Sequence, residues 1–207
     1  MPHSHRLSRH RKVWHVAAAT ALDDQTPRTF RDAVASLRSW RPDEHVVISE
    51  ITAPANIAPH SFALSAVAKR PGQSEATGKL VLLHDPQPQT SWRGNLRLVS
   101  FLRVNTDHST DADQTLAVIA WSWLEDGLKL ASAPHLALGG TVTCTADTRF
   151  GELRDPADGN VHATDVGLEV RASWTAPTTE LTTHLWAWCL QLAAAVQLSP
   201  EAVGEPG

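Results

Sequence analysis

Apolar residues recur along the chain at two different spacings, which divide it into predicted helices and predicted strands. Phe30 and Leu37 belong to a helical face that follows Thr26-Pro27, a capping residue and a first helical proline. Longer stripes of the same spacing predict a second helix at about 113–131 and a third from Thr178 to about Gln197. Alternating or β-branched apolar segments predict six strands, at 45–53, 61–69, 78–85, 94–105, 140–148 and 166–174.

The predicted elements follow one another in the order α-β-β-β-β-α-β-β-α. Runs of strands joined by short turns form antiparallel sheets, and the accompanying helices pack on one face or at one end of the sheet. The pattern therefore predicts a single α+β domain over residues 26–198, with an antiparallel sheet of about six strands and three helices. Residues 1–25 are predicted to form a disordered basic tail, and residues 199–207 a C-terminal tail.

Charge is distributed unevenly between the start of the chain and the rest. The first sixteen residues carry four basic side chains and no acid, whereas the remainder has 14 Lys and Arg against 22 Asp and Glu, a balance of −8. A body this acidic is a poor partner for nucleic acid, because phosphate contacts need clustered cations. No apolar run reaches the length of a membrane helix, so no membrane association is predicted.

The chain has two cysteines, Cys144 and Cys189, and no CxxC pair. We expect both to be buried and reduced, which predicts a cytoplasmic protein. The segment Gly72–Leu80 approaches a phosphate-binding loop, but it has five residues between its glycines where four are required, so a hairpin loop is favoured. No zinc spacing, HExxH helix, dinucleotide fingerprint or EF-hand loop occurs, and neither a metal nor a cofactor is predicted.

Two arginines stand in otherwise apolar strands and are candidate ligand or partner contacts. The alternation places Arg97 and Arg171 on the face of the sheet that points away from the core, and Glu169 shares that face. A ladder of cross-strand ion pairs is the favoured interpretation. The alternative is a groove that recognises anions, since the guanidinium group forks carboxylate or phosphate.

His84 and Asp85 could suggest an acid–base pair, but adjacent strand residues point to opposite faces, so a strand end and turn are favoured. Among the tryptophans, Trp92 is a further candidate contact. Trp121 and Trp186 lie off the apolar stripes of their helices, which predicts either a second layer of packing or an aromatic patch for a partner. Trp123 and Trp188 lie on the stripes of the second and third helices and are predicted to pack side by side on the sheet. The stripe of the second helix also includes Ile119.

The chain contains the strings LVLLHDP at 80–86, WRG at 92–94, WSWL at 121–124, GTVT at 140–143, EVRASWT at 169–175 and HLWAWC at 184–189. Together these strings resemble the actinobacterial family of unknown function numbered 3000. The resemblance spans residues 27–198 and assigns no catalytic or binding residue, because the family has no known activity. The family's genes often neighbour one for a ribonuclease D-like exonuclease, which implies a link to RNA metabolism.

The absence of catalytic patterning and the off-stripe tryptophans favour a binding or adaptor protein with a protein partner. An enzyme with a site near the Arg97 and Arg171 sheet face is the first alternative, and an accessory factor in RNA metabolism is the second. A pocket where His84, Asp85, Arg97 and Arg171 converge would favour the enzyme, whereas a flat row of arginines would favour the binding protein.

Overall fold

The computed structural model of the chain describes residues 25–42, 45–87, 89–106, 114–148, 150 and 164–197. The predicted tails, apart from Gln25, lie outside the described residues. So does residue 113, at about which the second helix was predicted to begin.

The described residues form three helices, six strands and one short 3₁₀ turn, in the predicted order. The helices are α1 (Arg28–Ser39), α2 (Gln114–Leu130) and α3 (Thr182–Val196), and the 3₁₀ turn is Thr90–Trp92. The strands are β1 (Val46–Ile51), β2 (His60–Ala68), β3 (Ala76–His84), β4 (Leu96–Thr106), β5 (Leu136–Thr148) and β6 (Thr164–Thr175).

The six strands form one sheet with the order β1-β2-β3-β4-β6-β5, and every neighbouring pair is antiparallel. The first four strands form a meander. The chain then passes through α2 before β5 forms the far edge, and β6 returns between β5 and β4. The predicted α+β class, with six antiparallel strands and three helices, is confirmed.

All three helices pack on the same face of this sheet, which we call the covered face. The ring of Trp188 in α3 lies against Gly78 of β3, where an added Cβ would come within 2.8 Å of it. Arg38 of α1 places its guanidinium 5.2 Å from the ring centre of Phe62 in β2. The covered face holds most of the apolar core, because residues at alternate strand positions are buried beneath these helices.

Close packing between α2 and α3 depends on a glycine. A Cβ on Gly127 would lie 2.7 Å from the carbonyl oxygen of Ala187, so any larger residue would push the two helices apart. α2 also contacts β5, so its buried residues are divided between contacts with α3 and contacts with β5.

That double contact corrects the predicted stripe of α2. Ile119 was assigned to the stripe but is 42% exposed, and Trp123 is half-buried. Trp121 was placed off the stripe, yet its ring lies where a Cβ on Gly140 of β5 would approach it within 2.8 Å. A single apolar stripe cannot anticipate a helix that packs against two partners in different directions.

The helix starts also differ from the prediction. Pro27, rather than Thr26, occupies the N-cap position of α1. The third helix begins at Thr182, where the Glu180 carboxylate accepts a hydrogen bond from the Thr182 amide at 3.2 Å. Ser36 of α1 accepts one from the Leu181 amide at 2.7 Å, so a contact with another helix adds to this local bond.

Neither cysteine forms a disulfide, and the two are not equally buried. Cys189 in α3 lies in the core, whereas Cys144 is only half-buried. The expectation of a buried Cys144 was wrong because β5 is an edge strand, so one side of Cys144 has no neighbouring strand within the described residues.

Candidate functional site

The structure places the residues singled out from the sequence at separate positions rather than around one pocket. His84 is buried beneath α1, where its ring centre lies 6.0 Å from that of Phe30 and 5.6 Å from that of His60. Burial, and then the proximity of His60, lower the pKa of His84, while Asp85 opposes the shift. The imidazole is therefore a neutral core group at neutral pH.

Asp85 belongs to a turn. One carboxylate oxygen accepts a hydrogen bond from the Gln87 amide at 2.9 Å, and the Asp85 amide donates to the carbonyl of Asn95 at 3.1 Å. This geometry is that of an aspartate that closes a strand end. No hydrogen bond joins its carboxylate to His84 among the described contacts, so the two do not form an acid–base pair in this structure.

Arg97 lies on the opposite face of the sheet, which we call the open face because no described helix covers it. Its guanidinium donates to the carbonyl of Ala137 at 2.9 Å, to the Thr175 hydroxyl at 3.1 Å and to the Ser173 hydroxyl at 2.7 Å. Ala137 has a positive φ of 49° within the bulge that opens β5. Arg97 thus ties the irregular start of β5 to β6, and burial lowers the pKa of its guanidinium.

Trp92 is joined to Arg97 through Thr175. The Thr175 hydroxyl donates to the Trp92 carbonyl while it accepts from Arg97, so the backbone of the 3₁₀ turn is anchored to β6. Gly94 follows this turn, and a Cβ there would lie 2.6 Å from the Thr175 methyl group. The indole of Trp92 is half-buried. The contact between Trp92 and Thr175 is made by the main-chain carbonyl of Trp92.

Arg171 shares the open face with Arg97. It lies on β6, four residues before Thr175, which is the cross-strand partner of Arg97. Its guanidinium lies 5.6 Å from the ring centre of Phe101, its cross-strand partner, and 3.2 Å from the Glu169 carboxylate. The Arg171 side chain remains 66% exposed. The ion pair runs along one strand, so the predicted ladder between strands is not what forms here.

Arg171 is the end of a row across three strands that also contains Lys79 and Phe101. Lys79 of β3 pairs with Phe101 of β4, and Phe101 pairs with Arg171 of β6. Neighbouring strands lie about 4.8 Å apart, so the backbones that carry the two cations are separated by about 10 Å. Among the described residues, Lys79 has no carboxylate within ion-pair distance.

The open face also contains a shallow hollow beside this row, at Arg103, which is two residues after Phe101 on β4. Arg103 pairs with Glu169 across β4 and β6, and its guanidinium contacts the side-chain oxygen of Asn105 at 3.4 Å. The hollow has a volume of about 360 Å³ and contains none of the predicted candidates. Its lining residues are Ser74, Glu75, Thr77, Arg103 and Asn105.

The two off-stripe tryptophans differ in their surroundings. Trp121 packs over β5. Of the two predicted alternatives, a second layer of packing or an aromatic patch for a partner, Trp121 fits the first. Trp186 is 41% exposed on α3, two positions from the fully buried Trp188. Neither tryptophan belongs to the open face.

The sequence named Arg97 and Arg171 as candidate contacts, but it did not single out Lys79, Phe101 or Arg103. Alternation within each strand does place these residues on one face. The missing signal was the register between strands, which decides that Lys79, Phe101 and Arg171 occupy one row.

Comparison with known proteins identifies the family. The family model described as "Protein of unknown function (DUF3000)" matches residues 26–204. The chain belongs to the DUF3000 family. No curated protein and no solved structure is significantly similar to this DUF3000 chain. None of the helices in the described ranges combines the length and the apolar character needed to cross a membrane.

Proposed function

We propose that this protein is a binding protein that uses the open face of its sheet to recognise an acidic segment of a protein partner. The observation that carries the proposal is the row of Lys79, Phe101 and Arg171, in which two exposed cations flank an aromatic ring on an uncovered sheet. Arg103 adds a third exposed cation beside this row.

The chemistry of the row suits an interface. An exposed arginine can fork a carboxylate with two parallel hydrogen bonds, and the lysine supplies a mobile point charge. Phe101 offers a half-buried apolar surface between them, and arginine with aromatic residues dominates the energetics of many interfaces. The cations stand out because the chain as a whole carries a net charge of −4.

Lys79, Arg103 and Arg171 retain a capacity to bind a partner's carboxylate that Arg97 and Arg38 lack. The Arg97 guanidinium donates hydrogen bonds to three neutral acceptors within the fold. Arg38 on the covered side is held 2.7 Å from Glu50. Arg171 has a single exposed ion pair, which is worth about 1 kcal/mol or less and can exchange for a partner's carboxylate.

The geometry does not favour the enzyme alternative, because His84 and Asp85 take separate structural roles and neither lies beside Arg171. A cytoplasmic location is part of the proposal, and it is supported by the observation that neither Cys144 nor Cys189 forms a disulfide.

The test is affinity capture from native cells followed by quantitative mass spectrometry. The variant Lys79→Glu/Arg171→Glu reverses two cations of the row, and Arg28→Glu/Lys129→Glu reverses two exposed cations carried by the helices. We expect a partner that the wild type and the helix variant capture and that the row variant loses. Capture of the same proteins in equal amounts by all three baits would remove the open face from consideration.

A further inference from the structure

The far edge of the sheet is a long strand whose outer side pairs with no other strand in the described part of the chain. β5 runs for 13 residues and stands last in the strand order, and Asp147 is its one charged residue. An edge strand presents unpaired N–H and C=O groups, which proteins usually blunt with short strands, lysines or prolines. β5 is bulged only at its start, between Leu136 and Gly139, and then continues regularly to Thr148.

The opposite edge has the protection that β5 lacks. β1 has six residues, and one of them is Glu50, whose carboxylate is bound by Arg38 of α1 at 2.7 Å. A short strand with a charge beside its edge discourages pairing with another chain. The two edges of this sheet therefore differ in their capacity to accept a further strand.

The apolar layer beneath β5 is also incompletely covered. On β6 the covered-face residues Leu168 and Val170 are fully buried, whereas their β5 partners Cys144 and Val142 are only half-buried. Val118 of α2 lies one helical turn before Trp121, the residue that packs on β5, and is 65% exposed. A neighbouring strand with its own helix would cover these groups.

We propose that a second copy of this chain pairs with β5, so that two sheets join into one with all six helices on the same face. Copies related by a two-fold axis perpendicular to the sheet bring their β5 strands together antiparallel. An axis at Thr143 uses most of the regular stretch, because it is close to the midpoint of Gly139–Thr148.

This register is complementary to itself. It sets Thr141 opposite Thr145 of the second copy on the open face, and Val142 opposite Cys144 on the covered face. The two Asp147 carboxylates are kept apart, since each faces Gly139 of the other copy. Threonine pairs and apolar pairs stabilise antiparallel strands, whereas like charges directly opposite one another destabilise them.

The measurement is the mass in solution, by light scattering on a sizing column and by sedimentation. The wild type should have about twice the 22.5 kDa of one chain. Thr143→Lys should be monomeric, because two lysines whose Cβ atoms lie roughly 5 Å apart across the axis repel enough to weaken association at least about tenfold. Thr143→Glu should be monomeric for the same reason, and an equimolar mixture of the two variants should restore the dimer.

Val47→Lys is the matched control, since it introduces the same charge at a 58% exposed position of the opposite edge strand. It should remain dimeric. Recovery of a dimer in the mixture also proves that both Thr143 variants are folded. A wild type that is monomeric at all accessible concentrations, or a dimer that survives Thr143→Lys but is lost in Val47→Lys, would overturn the proposal.

Discussion

The two faces of the sheet use the same strands in opposite ways. In β4, Leu98 and Leu102 point to the covered face and are fully buried, whereas Val99 and Phe101 point to the open face and are only half-buried. Both sets are apolar, so hydrophobicity along the strand does not decide which face is closed. Coverage by helices decides it, and α1, α2 and α3 all lie on one side.

Polar groups follow the same division. On the helix side of the sheet, buried polar side chains are neutral, among them His84 of β3 and His184 and Gln191 of α3. The open face carries Lys79, Arg97 and Arg171, whereas Glu50 on the covered side is paired with Arg38 of α1. A charge under the helices would lose its hydration without a partner, whereas a charge on the open face keeps water or a partner available.

The largest expected effect is the removal of Trp188, which tests the covered face. This side chain is fully buried against Gly78, and Trp188→Ala should lower the free energy of unfolding by about 3–5 kcal/mol. Trp186→Ala removes the same number of atoms from an exposed position and should cost less than about 1 kcal/mol. Chemical denaturation measures both, and a costlier Trp186→Ala would mean that the face assignment of α3 is wrong.

The covered face could be predicted in α3 and only partly in α2. The apolar stripe of the third helix places Trp188 correctly, because α3 presents one broad apolar surface to the sheet and its neighbouring helices. The stripe of α2 misplaces Ile119 and Trp121, because that helix packs against α3 through Gly127 and against β5 through Trp121. Division of a helix surface between two partners is a tertiary property.

The open face could be predicted as a face but not as a site. Alternation identified Arg97 and Arg171 as equivalent residues. They differ because a bulge in β5 brings the Ala137 carbonyl to Arg97, while the register brings Phe101 and Lys79 to Arg171. Bulges and registers depend on the partner strand, which the local pattern does not specify.

A second prediction concerns pH and the covered face. The indole N–H of Trp174 donates to Nδ1 of His184 at 3.0 Å, which requires a neutral imidazole. Burial, and then the proximity of His135, lower the pKa of His184 to about 4 from a usual 6.5. The unfolded chain binds this proton below pH 6.5 and the folded chain does not, so stability present at pH 7 is lost as the pH falls.

Between pH 7 and pH 5 this histidine should reduce the free energy of unfolding by about 2 kcal/mol. His84, whose pKa burial also lowers, acts in the same direction. His184→Phe removes the titrating group, so its stability should vary less with pH over this interval, whatever its value at pH 7. An unchanged pH dependence in urea denaturation would show that His184 is protonated within the fold.

A third prediction separates the two arginines of the open face by their structural roles. Arg97→Ala leaves the carbonyl of Ala137 and the hydroxyl of Ser173 without their donor. We expect a loss of about 1–2 kcal/mol in the free energy of unfolding. Hydrogen exchange should report faster opening at the start of β5, around Leu136–Gly139. A loss below about 0.5 kcal/mol would place Arg97 with the surface charges instead.

The smallest expected effect on stability belongs to Arg171, and it is the one that matters most for function. Its side chain is 66% exposed and its ion pair to Glu169 runs along a single strand, so Arg171→Ala should change the free energy of unfolding by less than about 0.5 kcal/mol. The stacking of its guanidinium on Phe101 adds little at an exposed site. Denaturation curves for Arg171→Ala and Arg97→Ala, measured side by side, provide the comparison. If Arg171→Ala leaves the fold unchanged while capture of an acidic partner is lost, the side chain serves recognition. If it destabilises the fold as much as Arg97→Ala does, both arginines are structural and the open face loses its principal binding group.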